Sequence, residues 1–151
     1  MARLLLMLAL ALSLAGCAAK GPYGNFAGAL PMDDHRMADD TAQQLTALFP
    51  PASTRLKLDQ PASDAYGSAL VEKLRKAGYA IAVRHEIPPI VGQSALKAWQ
   101  AVPGTELHYV VDQLGAGNYR VSVQVGGQTL SRMYLAENNR LAAAGYWARK
   151  E

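Results

Sequence analysis

Two stretches in the first half of the chain carry apolar residues at the three- and four-residue spacing of an amphipathic helix. The first, residues 37–49, follows Asp33 and Asp34, which would lie at the positive end of the helix dipole. It ends before Pro50, because a proline forces the preceding residue out of helical geometry. The pattern therefore predicts a helix whose buried face consists of Met37, Thr41, Leu45, Leu48 and Phe49.

A second helix is predicted between residues 64 and 77. Ser63 or Asp64 can cap its first turn, and Gly78 stands where helices commonly end. The apolar face of this helix consists of Tyr66, Leu70, Leu74 and Ala77.

Six further stretches are predicted to be strands, and the clearest of them alternate apolar and polar residues with the period of two that is typical of half-buried strands. In the first of them, Leu56 and Leu58 lie on one face, whereas Arg55 and Lys57 lie on the other. Gly126-Gly127 is a favoured two-residue hairpin turn between two of the strands. The predicted strands are residues 54–58, 79–83, 106–112, 118–125, 128–135 and, as a final edge strand, 140–151.

Helices at the front of a chain and a run of strands behind them are typical of an α+β domain. We predict a small single domain with two N-terminal helices packed on a mostly antiparallel sheet of about four to six strands. Residues 85–105 are the least regular part of the pattern. They allow a short helix over 94–100 with Leu96 and Trp99 on its apolar side.

The first 16 residues have the three parts of a bacterial export signal: a basic start at Arg3, an apolar run, and small residues before a cleavage point. The run is shorter than the roughly 20 residues that span a bilayer. Cys17 is the only cysteine and directly follows Gly16. The arrangement resembles the bacterial lipobox, which implies a diacylglycerol on the sulfur of Cys17 and cleavage between Gly16 and Cys17. A buried free cysteine is the alternative.

The residue after the cysteine is Ala18 and not an aspartate. In the sorting pattern that the lipobox resemblance implies, this predicts the outer membrane as the destination. Each methylene of an acyl chain that enters the bilayer contributes about 0.8 kcal/mol to membrane binding, and several chains together anchor a protein stably. With Cys17 acylated, no disulfide bond can form.

Removal of residues 1–16 leaves 151 − 16 = 135 residues, which is enough for one domain. Residues 17–31 are rich in glycine and proline and are predicted to be a lipidated tether, followed by the domain at 32–151. Tyr23 and Phe26 form either a recognition strip on this tether or part of a plain spacer. Without Arg3 the chain has 14 basic and 12 acidic residues, so neither a nucleic-acid footprint nor a polybasic membrane patch is expected.

The titratable residues show no pattern of catalysis or of metal binding. His85-Glu86 lacks the second histidine of a helical ligand pair. Glu106 and Asp112 would lie about 20 Å apart along one strand, which is too far for joint acid and base work. The acidic cluster of the first helix lacks the glycine and the closing glutamate of a calcium loop, and helix capping explains it as well. We expect no enzyme, no cofactor and no metal.

Several segments follow the lipobox and the acidic first helix in a fixed order: residues 48–54, 74–79, 107–112, 119–121, 130–134 and 144–147. Taken together, they resemble the TrbH family of conjugal-transfer lipoproteins. The resemblance implies a structural component of a type IV secretion apparatus at the outer membrane, facing the periplasm and serving mating-pair formation and plasmid DNA transfer. It implies channel and other subunits as partners, no direct contact with nucleic acid, and allows a homo-oligomer within a larger assembly. The order of elements is also similar to the N-terminal module of secretins.

An exposed sheet edge is an economical docking surface, because its unpaired backbone groups can accept a partner strand. The candidate contacts are the strand at 128–135 with Tyr134, and the C-terminal segment with Tyr146 and Trp147. The alternative for Tyr146 and Trp147 is that they only cap the core.

Two other functions stay open on the sequence. A general envelope lipoprotein would bind a small ligand or peptidoglycan, and it predicts a concave apolar pocket near Trp99, which would act as a lid. A lipid-anchored hydrolase would need catalytic residues brought together from distant strands.

Overall fold

The computed structural model describes residues 21–86 and 92–151. Three helices and seven strands occur in these two ranges. The helices are α1 (Pro31–Leu48), α2 (Ala65–Lys76) and α3 (Gly92–Gln100). The strands are β1 (Gly24–Asn25), β2 (Arg55–Leu58), β3 (Ala80–Val83), β4 (Thr105–Gly115), β5 (Asn118–Val125), β6 (Gln128–Glu137) and β7 (Arg140–Lys150).

All seven strands belong to one sheet with the order β3-β2-β4-β5-β6-β7, and β1 pairs with β4. β4 to β7 form an antiparallel meander of long strands, whereas β2 is parallel to both β3 and β4. The predicted α+β class with a mostly antiparallel sheet is confirmed. The predicted strand number was too low, because β1 was not recognised as a strand.

The core lies between one face of the sheet and helices α1 and α2. Leu56 and Leu58 are buried on this inner face, as their alternation predicts. The neighbouring meander contributes a continuous row of β-branched residues and leucines, while α1 and α2 close the layer from the other side. The largest fully buried side chains include Met37, Leu45, Leu70, Leu74, Tyr66, Tyr109, Val111, Val121 and Leu130.

Helix α1 begins at Pro31 and ends at Leu48, just before the Pro50-Pro51 pair. Its buried face contains Met37, Thr41 and Leu45, in agreement with the predicted helical spacing. Leu30, at the N-cap, makes no side-chain capping hydrogen bond. The acidic residues that follow it therefore do not act as side-chain caps.

Helix α2 is capped by Asp64, whose side chain accepts a hydrogen bond of 2.8 Å from the amide of Gly67. The Tyr109 hydroxyl donates to the other oxygen of the same carboxylate. A side chain at Gly67 would collide with the Tyr109 hydroxyl, so glycine permits this close approach of helix and sheet. Gly78 has φ of +96° and ends the helix in the left-handed conformation that glycine favours.

Strands β1 and β2 share one edge of β4, and the side chain of Gln60 fills the gap between them. β2 pairs with residues 105–107 and β1 with Val110 and Val111. Between these points, the Gln60 amide accepts from the Tyr109 amide at 2.9 Å and donates to the Tyr109 carbonyl at 3.2 Å. A side chain thus replaces one link of backbone pairing.

The predicted tether at 17–31 overlaps the fold. Residues 24–25 form β1, and the amide of Phe26 donates to the carbonyl of Val111 at 2.7 Å. The ring of Tyr23 stacks on His108. Within the described residues, contacts with β4 therefore begin at Tyr23, inside the segment predicted to be a tether.

Helix α3 extends the predicted short helix by two residues at its start. The ring of Trp99 lies over the Lys57 ammonium, with 5.3 Å to the ring centroid. Lys57 alternates away from the core, as expected, yet only 5% of it is exposed. α3 therefore covers the outer side of β2, which the sequence pattern had indicated to be a solvated face.

Candidate partner surface

The predicted lipid acceptor Cys17 and the cleavage position at Gly16 lie outside the described residues. Lipidation and cleavage remain predictions. None of the helices in residues 21–86 and 92–151 is both long enough and apolar enough to cross a bilayer.

Strand β6 is not a sheet edge. It pairs with β5 on one side and with β7 on the other, so the prediction that residues 128–135 present an open edge was wrong. The outermost strand of the meander is β7, as predicted for residues 140–151.

Tyr134 belongs to the core. Only 3% of it is exposed, and its hydroxyl donates a hydrogen bond to the carboxylate of Asp40 on α1. Burial, together with this carboxylate, raises the pKa of Tyr134 above its ordinary value. Its position joins the meander to α1 and leaves almost none of the side chain for a partner.

Arg132 connects three elements on the inner face of the sheet. Its Nη1 donates to both oxygens of Asp40 at 2.7 and 2.8 Å, and its Nε donates to the carbonyl of Gly145 at 3.2 Å. The cation and the carboxylate are both mostly buried, so each depends on the other for its hydrogen bonds. One side chain thus ties β7 to α1 through β6.

The Gly145 carbonyl belongs to a bulge that changes the course of β7. Ser131 pairs with Ala148 and Met133 with Ala144, so two residue steps on β6 face four on β7. Gly145 has φ of +76°, a conformation that is unfavourable for residues with a Cβ. The bulge breaks the alternation of side chains along the edge strand.

Tyr146 and Trp147 leave this bulge in different directions. Tyr146 is 97% exposed, whereas Trp147 is half-buried and packs against the core. The indole nitrogen of Trp147 is buried without a hydrogen-bond partner in the described part of the protein. The core-capping alternative thus describes Trp147, and Tyr146 is the side chain that projects from the edge.

The β7 edge is long and basic. Its 11 residues include Arg140, Arg149 and Lys150 and no acidic residue. Arg149 pairs with Glu151 at 2.7 Å, and both side chains are too exposed for the pair to contribute much to stability. Backbone groups on the outer side of this strand have no neighbouring strand in the sheet, which makes β7 a template for strand addition.

The opposite edge of the sheet is β3, which has only four residues. A groove of about 420 Å³ separates it from α2 and is lined by Val71, Arg75, Val83 and His85, among others. On the far side of β3, a second hollow of about 340 Å³ lies beside α3. The β3 edge is therefore short, and α2 and α3 lie on either side of it.

The hollow beside α3 corresponds in place to the pocket that the ligand-binding alternative predicts. Trp99 forms one wall, but its indole nitrogen donates to the carboxylate of Asp59, which also pairs with Arg84 at 3.3 Å. Trp99 is thus a fixed wall and not a free lid. The remaining lining residues are Val83, His85, Ala95, Ala98 and Val102.

The four acidic residues of α1 point to four different partners, so they do not converge on one ion. Within residues 21–86 and 92–151, no group of three potential ligands is placed to hold a metal ion. Asp33 accepts from the Leu141 amide, Asp34 from the Asn25 side chain, Asp39 pairs with Lys73, and Asp40 pairs with Arg132.

Among the acidic residues of α1, Asp34 has the most strongly shifted pKa. It is 4% exposed, and burial raises its pKa from 3.8 to about 6 despite the hydrogen bond from Asn25, with Asp64 and Asp33 adding to the rise. The side chain is thus half-charged near pH 6. Its role is to fasten β1 to the start of α1.

The other titratable residues that the sequence analysis considered for catalysis do not lie together in one site. Asp112 forms two hydrogen bonds with Arg120 on the neighbouring strand, at 3.1 and 2.6 Å, and does not pair with Glu106. Burial lowers the pKa of His108, so its ring is neutral at pH 7. These contacts are structural and bring no nucleophile and base together.

The Arg132–Asp40 pair could not be predicted from local pattern, because its members lie 92 positions apart in the chain. Gly145 inside the predicted edge strand was the available signal, since an isolated strand glycine often marks a bulge. The two adjacent aromatic residues after it could not be assigned to a face without knowing the bulge.

Comparison with known proteins gives one finding. The family model described as conjugal transfer protein TrbH matches residues 20–151. No curated protein and no solved structure matches the chain. The match covers the whole described domain, including the β7 edge, and the chain therefore belongs to the TrbH family of conjugal transfer proteins.

Proposed function

We propose that this protein is a lipid-anchored structural component of a conjugative type IV secretion apparatus. The acylated Cys17 holds it in the outer membrane, its domain faces the periplasm, and it supports mating-pair formation and plasmid transfer. Membership of the TrbH family supports a role in conjugal transfer. The position of Cys17 after an export signal supports the anchor.

In this proposal the domain docks on channel subunits through the β7 edge. The observation that carries it is the combination of an 11-residue edge strand, whose Leu141 amide donates to Asp33 of α1, with a projecting aromatic side chain at Tyr146. A partner strand would pair with the backbone of β7 and give affinity, while a pocket for Tyr146 would give specificity. A second copy of the chain fits the same scheme, because any open strand can accept the edge of another.

The anchor is tested with a Cys17→Ala variant. We expect the variant to lose its acyl chains and its outer-membrane fractionation, and to lower plasmid transfer. Mass spectrometry of the mature N-terminus and fractionation of the envelope measure the two properties separately. Unchanged outer-membrane fractionation of Cys17→Ala would contradict the anchor.

The docking edge is tested by replacing single residues with a photoreactive phenylalanine analogue in cells that carry the transfer system. The probe is placed at Tyr146 on β7, at Ala80 on β3 and at Ser68 on α2, all three exposed. We expect cross-links to channel subunits from position 146 only. Cross-links from position 80 and none from 146 would move the docking site to the opposite edge.

The hollow beside α3 favours a second candidate function, a lipoprotein that binds a small ligand or peptidoglycan. Its volume of about 340 Å³ and its mainly apolar lining fit a small molecule or one sugar unit. An Ala98→Trp variant would fill the hollow. Loss of peptidoglycan sedimentation in this variant, with transfer unchanged, would favour the second candidate over the first.

A further inference from the structure

The chain becomes fixed to the domain soon after the predicted lipid acceptor. The ring of Tyr23 stacks on His108 with a centroid distance of 4.1 Å and an angle of 20°. The next two residues pair with β4 as β1. Cys17 and Tyr23 are six residues apart (23 − 17). The connection between the lipid and the domain is therefore much shorter than a tether that extended to residue 31.

Tyr23 is attached to a defined side of the sheet. Leu107 and Tyr109 face the core, so His108, which lies between them, faces the opposite side. We call this opposite side of β4 to β6 the outer face. It consists of His108, Val110, Ser122, Gln124, Thr129 and Met133 and their direct neighbours on the same side. Helices α1 and α2 lie behind it, across the core.

The short connection limits how far the outer face can move from a bilayer. Six residues reach at most about 20 Å when extended, and a flexible chain of this length has a mean end-to-end distance of about 13 Å. That distance is similar to the radius of gyration, about 14 Å, of a domain of this size. The far surface of α1 and α2 lies deeper still by at least a helix diameter, about 10 Å.

The charge of the outer face is compatible with contact to phospholipid headgroups. Asp112 and Arg120, which lie directly opposite each other on β4 and β5, neutralise one another. The remaining central positions are serine, threonine, glutamine, valine, methionine and a histidine whose burial favours its neutral form. This surface offers hydrogen-bonding groups without a net charge, so anionic headgroups would not repel it.

We propose that the outer face is the membrane-facing surface of the domain, and that phospholipid headgroups are its occupant. This inference rests on the proposed lipidation of Cys17. Helix α3 covers β2 on this same side of the sheet, so the part of the sheet that turns toward the bilayer is β4 to β6 beside α3, and the β7 edge points sideways. A partner reaches β7 from a neighbouring position in the membrane plane, which is the geometry that a ring of subunits requires.

The test uses the full mature lipoprotein in vesicles of phosphatidylethanolamine and phosphatidylglycerol. Because Cys17 is the only cysteine and is acylated, a second cysteine can be labelled alone. Ser122→Cys places a fluorophore on the outer face, and Ser68→Cys places one on the exposed side of α2. With a quencher attached to headgroups, we expect the label at 122 to be quenched about twofold or more relative to 68, given the short tether.

Two further variants test whether the short connection and the Tyr23 contact fix the orientation of the domain on the bilayer. Insertion of about ten Gly and Ser residues after Ala19 raises the mean reach to about 22 Å, and should bring the two labels close to equal quenching. A Tyr23→Ser variant, which loses the stacking on His108, should reduce the difference while thermal unfolding shows an intact domain.

The outcomes distinguish this inference from the anchor on which it rests. Mass spectrometry first establishes whether Cys17 carries acyl chains. Absence of the chains would overturn the anchor and the orientation together. Acylated protein with equal quenching at 122 and 68, or with stronger quenching at 68, would overturn the orientation alone and would favour a protein partner on the outer face.

Discussion

The two edges of the sheet differ in length, in cover and in the way they are fixed to the helices. β3 has four residues, lies between grooves that border α2 and α3, and ends a unit of parallel strands. β7 has 11 residues, closes an antiparallel meander and is tied to α1 through Arg132 and Asp40. Short, flanked edges resist strand addition, and long open ones invite it.

The difference suggests that β7 is held in shape for a purpose beyond folding. A bulge usually blunts an edge by twisting it away from neighbours, yet here the bulge carries an exposed tyrosine outward. The same residue, Arg132, supports both the bulge and the contact with α1.

Removal of the Arg132 side chain should destabilise the β7 side of the domain specifically. We expect Arg132→Met to lower the free energy of unfolding by about 3 kcal/mol, because Asp40 stays largely buried without its cation. Urea denaturation measures the loss. Hydrogen exchange should show faster exchange in β7, with β2 and β3 nearly unchanged.

Arg120→Met is the matched control, since Arg120 also pairs across strands but is more exposed, with 41% of its side chain accessible. We expect it to cost about 0.5 kcal/mol. Equal losses for the two arginine variants would contradict a special role of Arg132 in holding the β7 edge.

Neutralisation of Asp34 should stabilise the domain at neutral pH. The folded-state pKa of about 6 lies above the ordinary 3.8, so the folded form binds the proton more tightly, and the stability gained from protonation is lost as pH rises from about 4 through 6. Asp34→Asn keeps the acceptor for Asn25. We expect it to be about 2 kcal/mol more stable than the wild type at pH 7 and nearly equal at pH 4.

Asp39→Asn is a control for which the expected change in stability at pH 7 has the opposite sign. The hydrogen bond from Lys73 lowers the pKa of Asp39, so its contribution is present at neutral pH and disappears as pH falls through the folded-state pKa. This exposed variant should be slightly less stable than the wild type at pH 7. Chemical denaturation from pH 4 to 7 measures both differences, and an Asp34→Asn variant that is less stable at pH 7 would refute the assigned shift.

A side chain at Gly145 should strain the bulge. No atom lies within 4 Å of a Cβ added there, so the cost comes from the backbone at φ of +76° alone. We expect Gly145→Ala to cost about 1–2 kcal/mol. Gly127→Ala, where a Cβ also meets nothing and φ is ordinary, should change the midpoint of thermal unfolding very little; a comparable loss there would mean that the bulge geometry is not the cause.

Local pattern was sufficient to predict much of this fold. The predicted bounds of β5 agree with the structure at both ends, because glycine-rich turns flank it and valines alternate within it. The caps of α2 were similarly marked by Asp64 and Gly78. These features depend on neighbours in the chain, which the sequence displays directly.

Features that depend on distant residues were not predicted. β1 has only two residues, and its partners on β4, Val110 and Val111, lie far along the chain. Lys57 appeared as a solvated residue because only the fold brings Trp99 over it. Tyr134 and Tyr146 looked alike as candidate contacts, but Tyr134 shares the inner face of β6 with Leu130, whereas Tyr146 follows the bulge at Gly145 and projects.

The smallest effect on stability and the most informative effect on function are expected from Tyr146. Because the side chain is 97% exposed, Tyr146→Ser should change the free energy of unfolding by less than about 0.5 kcal/mol. Its capture of channel subunits in a pull-down should nevertheless fall sharply, because an aromatic anchor commonly dominates a docking surface. Phe26→Ser, which removes another exposed aromatic residue, beside β4 instead of on β7, should leave capture unchanged. Full capture by Tyr146→Ser would show that the β7 edge binds its partner without this side chain, or that the partner binds elsewhere, and the cross-linking positions on β3 and β7 then separate these two cases.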